Sequence, residues 1–372
     1  ETYYKAKNGR FGLVELLERF DGIRMPEVKV VDMRDQRKRK ECRGLYSNPL
    51  LVASRKALGE GKQVIMFQNR RGYAPMVECK ECAWVPKCKN CDVSLVFHRN
   101  IRELLCHYCG YSMTLPNLCP VCGQDSVETY GYGTERIADD LNEIFNEYRV
   151  ARMDLDTTRN KDAYEDIIED FSSHKTDILV GTQMITKGFD FGRVAVVGVL
   201  NADNLLFSPD FRASERAFAL MTQVAGRAGR RQNEGVVIVQ TSEPENQVIG
   251  WVARGDYQAM ARSELADRHL FFYPPYARLV QFTLLSTDVQ TLRRGVGEFA
   301  ELLREKFGRR VAGPVAPPVD RIRGEYLLRL LLKIENGRSM ARARELLREV
   351  IAQLQSKAEF KQIKIVIDVD PQ

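Results

Sequence analysis

The chain has 372 residues, 44% hydrophobic and 28% charged, a globular composition that excludes a wholly disordered protein and leaves room for two or three domains. Its 56 basic residues against 50 acidic ones leave a net charge of only +6, so any attraction to polyanions must come from local clusters. No signal peptide opens the sequence and no apolar run approaches the roughly 20 residues of a membrane span, which points to a cytoplasmic protein without membrane contact.

Residues 1–45 read as a lead-in, with a short helix near Phe11 to Phe20 and a strand at Val28 to Met33. Glu1 stands in mid-pattern with no initiator methionine, so a piece of a longer protein is expected. Arg34 to Arg43 holds six basic and two acidic residues, a cluster that suits either a phosphate backbone or a solvated linker. A helix around Pro49 to Leu58 and a buried strand at Val64 to Gln68 follow. After a cysteine-rich interruption, a helix is predicted at Thr134 to Phe145, with Thr134 as its N-cap. Strands at Arg149 to Met153, Asp177 to Gly181, Val194 to Leu200 and Gly235 to Gln240 then alternate with helices at Lys161 to Phe171 and Arg212 to Val224. Apolar strands alternating with amphipathic helices predict a parallel α/β sheet covered on both faces.

The last hundred residues change rhythm after Tyr273-Pro-Pro-Tyr276, where the prolines stop a preceding helix. Strand Leu279 to Leu285, helix Val289 to Phe307, strands Val311 to Val315 and Tyr326 to Ile334, helix Met340 to Leu354 and strand Ile363 to Asp368 give β-α-β-β-α-β, an α+β ferredoxin-like order.

Eight of the nine cysteines form four C-x-x-C pairs: Cys79/Cys82, Cys88/Cys91, Cys106/Cys109 and Cys119/Cys122. Each pair aims two thiolates at one point, and four pairs supply two closed four-thiolate zinc sites. Disulfides need an oxidising compartment and a redox enzyme needs only one such pair, so zinc is the better reading. Spacing alone leaves three ways to combine the pairs. The 14 residues between Cys91 and Cys106 favour nesting, with Cys88, Cys91, Cys106 and Cys109 as the inner site and Cys79, Cys82, Cys119 and Cys122 as the outer one. Gly110 and Gly123 follow two of the knuckles, where positive φ turns backbone amides toward sulfur; Ala83 and Asp92 follow the other two without that aid. His98 and His107 read as loop histidines because thiolates already fill both shells, and Cys42 reads as a reduced thiol. So short a segment cannot bury enough apolar surface to fold alone, so the metal is structural.

Gln223-Val-Ala-Gly226-Arg227-Ala-Gly229-Arg230 places two guanidinium forks on one helical face, suited to phosphate oxygens. Upstream, Gly181-Thr-Gln-Met-Ile-Thr-Lys-Gly-Phe-Asp190 runs from a strand end into a polar loop, where parallel α/β sheets bind ligands. These stretches resemble motifs V and VI in the second, RecA-like lobe of superfamily 2 helicases. Asn69-Arg-Arg-Gly-Tyr-Ala-Pro75, Gly131-x-Gly133-Thr-Glu135, Asp154-x-Asp156-Thr-Thr158, Asp210-Phe-Arg-Ala-x-Glu-Arg216 and the terminal Asp368-Val-Asp-Pro371 extend the resemblance over nearly the whole chain, to the PriA-type family of replication-restart helicases.

The resemblance implies a domain plan: 1–45 as first-lobe tail and linker, 46–78 and 126–270 as the second lobe, 79–125 as a double-zinc insertion, and 271–372 as a DNA- and partner-contacting domain. It implies an ATP-dependent 3′–5′ DNA helicase at stalled forks and D-loops that initiates primosome assembly. Arg227 and Arg230 become arginines for the ATP γ-phosphate, where such a group contributes about 10³–10⁵ in rate. Gln223 contacts the nucleotide or orders its water. Gly188 and Asp190 couple the nucleotide cleft to the DNA-gripping surface, and Thr182, Gln183, Lys187, Asn69, Arg70 and Arg71 approach DNA phosphates. The implied partners are forked DNA, single-stranded-DNA-binding protein and primosome loading proteins; the implied cofactors are two zinc ions, with ATP and Mg²⁺ in the complete protein, and a monomer is expected. The sequence holds no G-x-x-x-x-G-K-[ST] loop and no D-E-x-H box, so this stretch alone is expected not to hydrolyse ATP. Asn201 stands where the family usually has aspartate. The competing expectation is a zinc-stabilised DNA- or protein-binding platform with no motor activity.

Overall fold

The computed structural model describes residues 1–16, 25–68, 76–79, 81–82, 84–98, 102–106, 108–130, 133–154, 157–158, 161–186, 191–207, 210–229 and 235–371. Two compact units divide the chain: one gathers Val14–Tyr73 and Tyr132–Leu265, the other Glu1–Leu13, Ala74–Gly131 and Ala266–Gln372.

The first unit is built on a six-stranded sheet whose spatial order is Glu27–Asp32, Val236–Thr241, Val194–Val199, Gln63–Phe67, Ile178–Gly181 and Val150–Met153. Every pairing in it is parallel. Successive side chains of a strand point to opposite faces, and the two cores follow that alternation. Ile65, Phe67, Leu179 and Val197 meet Phe171, Phe218, Met221 and Val224 on one side. Val64, Met66, Ile178 and Val196 meet Leu50, Leu58, Ile137 and Leu141 on the other. The helices Lys161–Ser172 and Ala213–Ala225 thus cover one face, and Asn48–Gly59 and Thr134–Ile144 cover the other. This is the expected doubly covered parallel sheet.

Two local expectations differ. The lead-in helix is Thr2–Lys7. Residues 11–16 carry no helix, and Phe11, Leu13, Val14 and Leu16 are exposed, because an apolar spacing without a surface to pack against does not hold a helix; the rest of that predicted helix lies outside the described residues. The helix predicted to start at Thr134 has extended Gly133 as its N-cap, since the Thr134 hydroxyl is drawn to the Asp154 carboxylate instead. Within the basic cluster, Asp32 caps a helix Met33–Lys38 by accepting from the Arg34 amide at 2.8 Å. Arg34 and Arg39 there pair with Asp32 and Asp35 at 3.2 and 3.0 Å.

In the second unit the C-terminal segment forms an antiparallel sheet in the order Val311–Val315, Glu325–Glu335, Ala277–Ser286, Lys364–Val369. The helices Val289–Phe307 and Met340–Ser356 supply Val296, Phe299, Leu303, Leu347 and Val350 to its core. A two-residue strand, Arg321–Ile322, pairs with the start of Glu325–Glu335 to make a hairpin that sequence periodicity did not announce. The cysteine-rich segment folds as five short antiparallel strands in the order Ser112–Thr114, Glu103–Leu105, Val96–His98, Met76–Cys79, Val127–Tyr130. Its small core, Val77, Leu95 and Leu104, includes Cys88, Cys91 and Cys106 themselves.

Candidate metal centres and motor motifs

The eight paired cysteines converge as two sets, Cys79, Cys82, Cys119 and Cys122, and Cys88, Cys91, Cys106 and Cys109, with the sulfurs of each set within 4.8 Å of one another. This is the nested pairing. Cys79 and Cys122, Cys82 and Cys119, and Cys88 and Cys109 have Sγ atoms 3.5 Å apart. That separation is far too long for a disulfide of about 2.05 Å and close to the edge, about 3.8 Å, of a tetrahedron with Zn–S bonds of about 2.3 Å.

One backbone bond recurs in all four knuckles. The amide of the first cysteine donates to the carbonyl five residues on: Cys79 to Trp84, Cys88 to Val93, Cys106 to Tyr111 and Cys119 to Gln124, at 2.8–2.9 Å. It closes the turn that holds both sulfurs on one side. Gly110 and Gly123 take φ of +78° and +72°, and their amides reach the carbonyls of Cys106 and Cys119 at 2.9 and 2.8 Å.

The thiols differ in acidity for visible reasons. The Ser126 hydroxyl, 3.1 Å from Cys79 Sγ, draws that thiol down to about 6. The Tyr111 amide draws Cys109 down to about 7, whereas burial pushes Cys88 up to about 12. In each centre these hydrogen bonds thus favour the thiolate of one cysteine, the form that binds metal. Four soft sulfur donors in a closed shell fit structural zinc, because no position remains for water or substrate. Ser126 had no sequence signal, being a short polar residue three beyond the last knuckle glycine. His107 and Ala83 lie outside the described residues, and Cys42 is half-buried in a short hairpin.

In the first unit, strand Ile178–Gly181 ends in Thr182 and the 3₁₀ turn Gln183–Thr186. Thr182 and Gln183 are half-buried. The helix Ala213–Ala225 carries Gln223 on its exposed side and leads to Arg227, which is buried and donates to the Thr186 carbonyl. The structure thus brings Arg227 onto the turn that begins with Gln183. Lys187, Gly188, Asp190, Arg230, Asn69, Arg70 and Arg71 lie outside the described residues.

Two of the remaining motifs are mutual partners. Buried Asp154 accepts from the Arg152 guanidinium at 3.1 Å, the Thr157 amide at 3.0 Å and the Thr134 hydroxyl, and its carbonyl takes the Thr158 hydroxyl. Gly133-Thr-Glu135 and Asp154-x-x-Thr-Thr158 are therefore two halves of one network. Asp210 accepts from the Arg212 amide at 2.9 Å and pairs with Arg216 at 2.7 Å, fixing the entry to the Ala213–Ala225 helix. Asn201 Oδ1 accepts from the Asn204 amide at 3.3 Å, a job a carboxylate oxygen would do equally. Sequence reasoning also missed Gln240, whose fully buried amide bonds Ser47, Leu45 and Leu200; a lone glutamine in an apolar strand gives no pattern to find.

A RecA-like helicase lobe interrupted by a zinc-ribbon segment defines the class of this protein. Residues 126–232 match the family model for the helicase conserved C-terminal domain, residues 88–113 that for the PriA DNA helicase Cys-rich region domain, and residues 269–372 that for the primosomal protein N C-terminal domain. The whole chain is 37% identical to the replication restart protein PriA of Bacillus subtilis, covering 46% of that relative. It is 34% identical to the protein of the same name from Haemophilus influenzae, covering 50% of it. The chain belongs to the replication restart protein PriA family, and it spans about half the length of these curated relatives. A solved structure of RecG bound to a three-way DNA junction is similar at a TM-score of 0.37 and 13% identity, over 67% of this chain and 23% of that one. Among the described residues, no helix is long and apolar enough to cross a membrane.

Proposed function

We propose that the chain is the C-terminal half of an ATP-dependent 3′–5′ DNA helicase that recognises stalled forks and D-loops, remodels or unwinds them and starts primosome assembly. The observation that carries this reading is the bond from Arg227 to the Thr186 carbonyl, which joins the motif VI arginine to the motif V turn. Arg227 and Arg230 act on the γ-phosphate, and Gln223 contacts the nucleotide or orders its water. When Arg227 exchanges the Thr186 carbonyl for a phosphate oxygen, the turn leading to Lys187, Gly188 and Asp190 is released. Nucleotide state is thereby passed to a DNA-contacting track of Thr182, Gln183, Lys187, Asn69, Arg70 and Arg71. An arginine fork suits phosphate because its planar donors match the oxygen spacing.

ATP and Mg²⁺ belong to the complete protein, whose phosphate-cradling loop and magnesium carboxylates lie on the other lobe. The eight cysteines hold two zinc ions that shape the insertion at 79–125, the domain at 271–372 meets DNA and partners, and the protein acts as a cytoplasmic monomer. Its partners are forked DNA, single-stranded-DNA-binding protein and primosome loading proteins. The purified chain is expected to bind forked DNA and two zinc ions, with no DNA-stimulated ATP turnover. Robust turnover by pure chain would sink the motor-half reading, and tight fork binding by complete protein lacking any ATP dependence would favour a passive platform.

A further inference from the structure

The Cys88–Cys91 knuckle departs from its neighbour in the inner centre. Cys109 is followed by Gly110, whose positive φ lets its amide close the turn onto the Cys106 carbonyl. Cys91 is followed by Asp92, and the Asp92 amide goes instead to the carbonyl of Arg321, at 3.0 Å. That acceptor lies more than 200 residues away in sequence, on the hairpin of the C-terminal segment, within the same compact unit.

The hairpin tip is Arg323-Gly324, with φ of +53° and +82°, the two-residue turn whose twist matches paired strands. Its backbone and side chains wrap the knuckle. The Arg323 amide donates to Cys91 Sγ at 3.2 Å, and the Gly324 amide to the Asn90 carbonyl at 2.7 Å. Arg321 donates to the Lys89 carbonyl and pairs with Asp92, both at 3.2 Å. Arg323 Nε donates to the Tyr108 carbonyl, 3.2 Å away, beside the partner knuckle. Ile322 packs on the small core that contains Cys88 and Cys91. An N–H directed at a metal-bound thiolate is what a knuckle glycine ordinarily helps to provide; here it comes from another part of the chain.

We propose that the Arg321–Gly324 hairpin tip is the outer shell of the inner metal centre, supplied by the C-terminal domain and not by the insertion that carries the ligands, so that metal retention there is set by the seating of that domain. The outer centre, whose Cys79 sulfur is served by nearby Ser126, is independent of it. The proposal rests on the reading of the eight cysteines as two zinc centres.

The test uses the whole zinc-loaded chain. After metal content is measured, 4-(2-pyridylazo)resorcinol and a thiol alkylator are added, and each cysteine peptide is followed over time by mass spectrometry. R321D sets a carboxylate against Asp92; R323G keeps the left-handed backbone and drops the bond to Tyr108. Outer-shell partners typically control metal affinity by about 10–100-fold. Both variants should therefore expose Cys88, Cys91, Cys106 and Cys109 about ten-fold sooner while Cys79, Cys82, Cys119 and Cys122 keep the wild-type rate. Should either variant misfold, D92A breaks the same ion pair from the insertion side and should give a smaller acceleration confined to the inner four. Unchanged inner rates, or all eight cysteines advancing together, would overturn the hairpin's role alone. A wild-type chain that holds no zinc would remove the zinc reading, and the proposal with it.

Discussion

Gln240 and Gly181 carry demands of the fold that chemistry-bearing motifs hide. Gln240 links three backbone groups of the Leu45–Ser47 segment and Leu200 through one buried amide. Replacing it with leucine orphans those groups, and an unpaired buried polar group costs about 1–3 kcal/mol. Q240L is therefore expected to lower stability by about 2–3 kcal/mol in urea unfolding of the lobe, and a loss below measurement error would contradict this. At Gly181 a Cβ would stand 2.8 Å from the Met153 carbonyl oxygen, a backbone atom that cannot step aside. Overpacking of that kind costs about 1–3 kcal/mol, so G181A should destabilise the same lobe and distort the turn beneath Arg227. The cysteines were legible in the sequence because a metal imposes spacing on residue type. Gln240, Ser126 and Arg323 were not, since each acts through a partner fixed only once the chain has folded.

At the scale of elements, strands and helices of the parallel sheet were legible to within a residue or two, because buried strands and amphipathic helices each write a period into the chain. Residues 11–16 of the helix predicted near Phe11 are not helical for want of a packing surface, and the helix that starts at Thr134 as expected is capped by Gly133 because Asp154 competes for the threonine hydroxyl. Caps set measurable increments. Asn246 accepts from the Val248 amide at 3.0 Å at the start of Gln247–Arg254. N246A should lose about 1 kcal/mol of lobe stability and N246D should recover most of it. In the C-terminal sheet, the Arg310 guanidinium lies 2.6 Å from Glu335 and holds its carboxyl below the ordinary value of 4.5. A depressed carboxylate stabilises the fold above its unfolded pKa, and that stabilisation is lost as pH falls through the lower folded value. The melting temperature of the chain should thus fall more steeply below about pH 4.5 than that of E335Q, with the two curves parallel at neutral pH.

At the scale of the whole molecule, the division of labour is between a lobe that folds on its own apolar cores and a cysteine-rich sheet that does not. Three of the buried residues in that sheet's small core are cysteines, so removing metal removes part of the core. Chelation should abolish hydrogen-exchange protection in the five short strands and leave the six-stranded parallel sheet protected; uniform loss across both would contradict the division. The proposed motor role is tested most directly by ATP turnover of the complete protein carrying R227A. DNA-stimulated turnover should fall about 10³-fold or more, with zinc content and fork affinity retained. Turnover equal to that of the unaltered protein would contradict it.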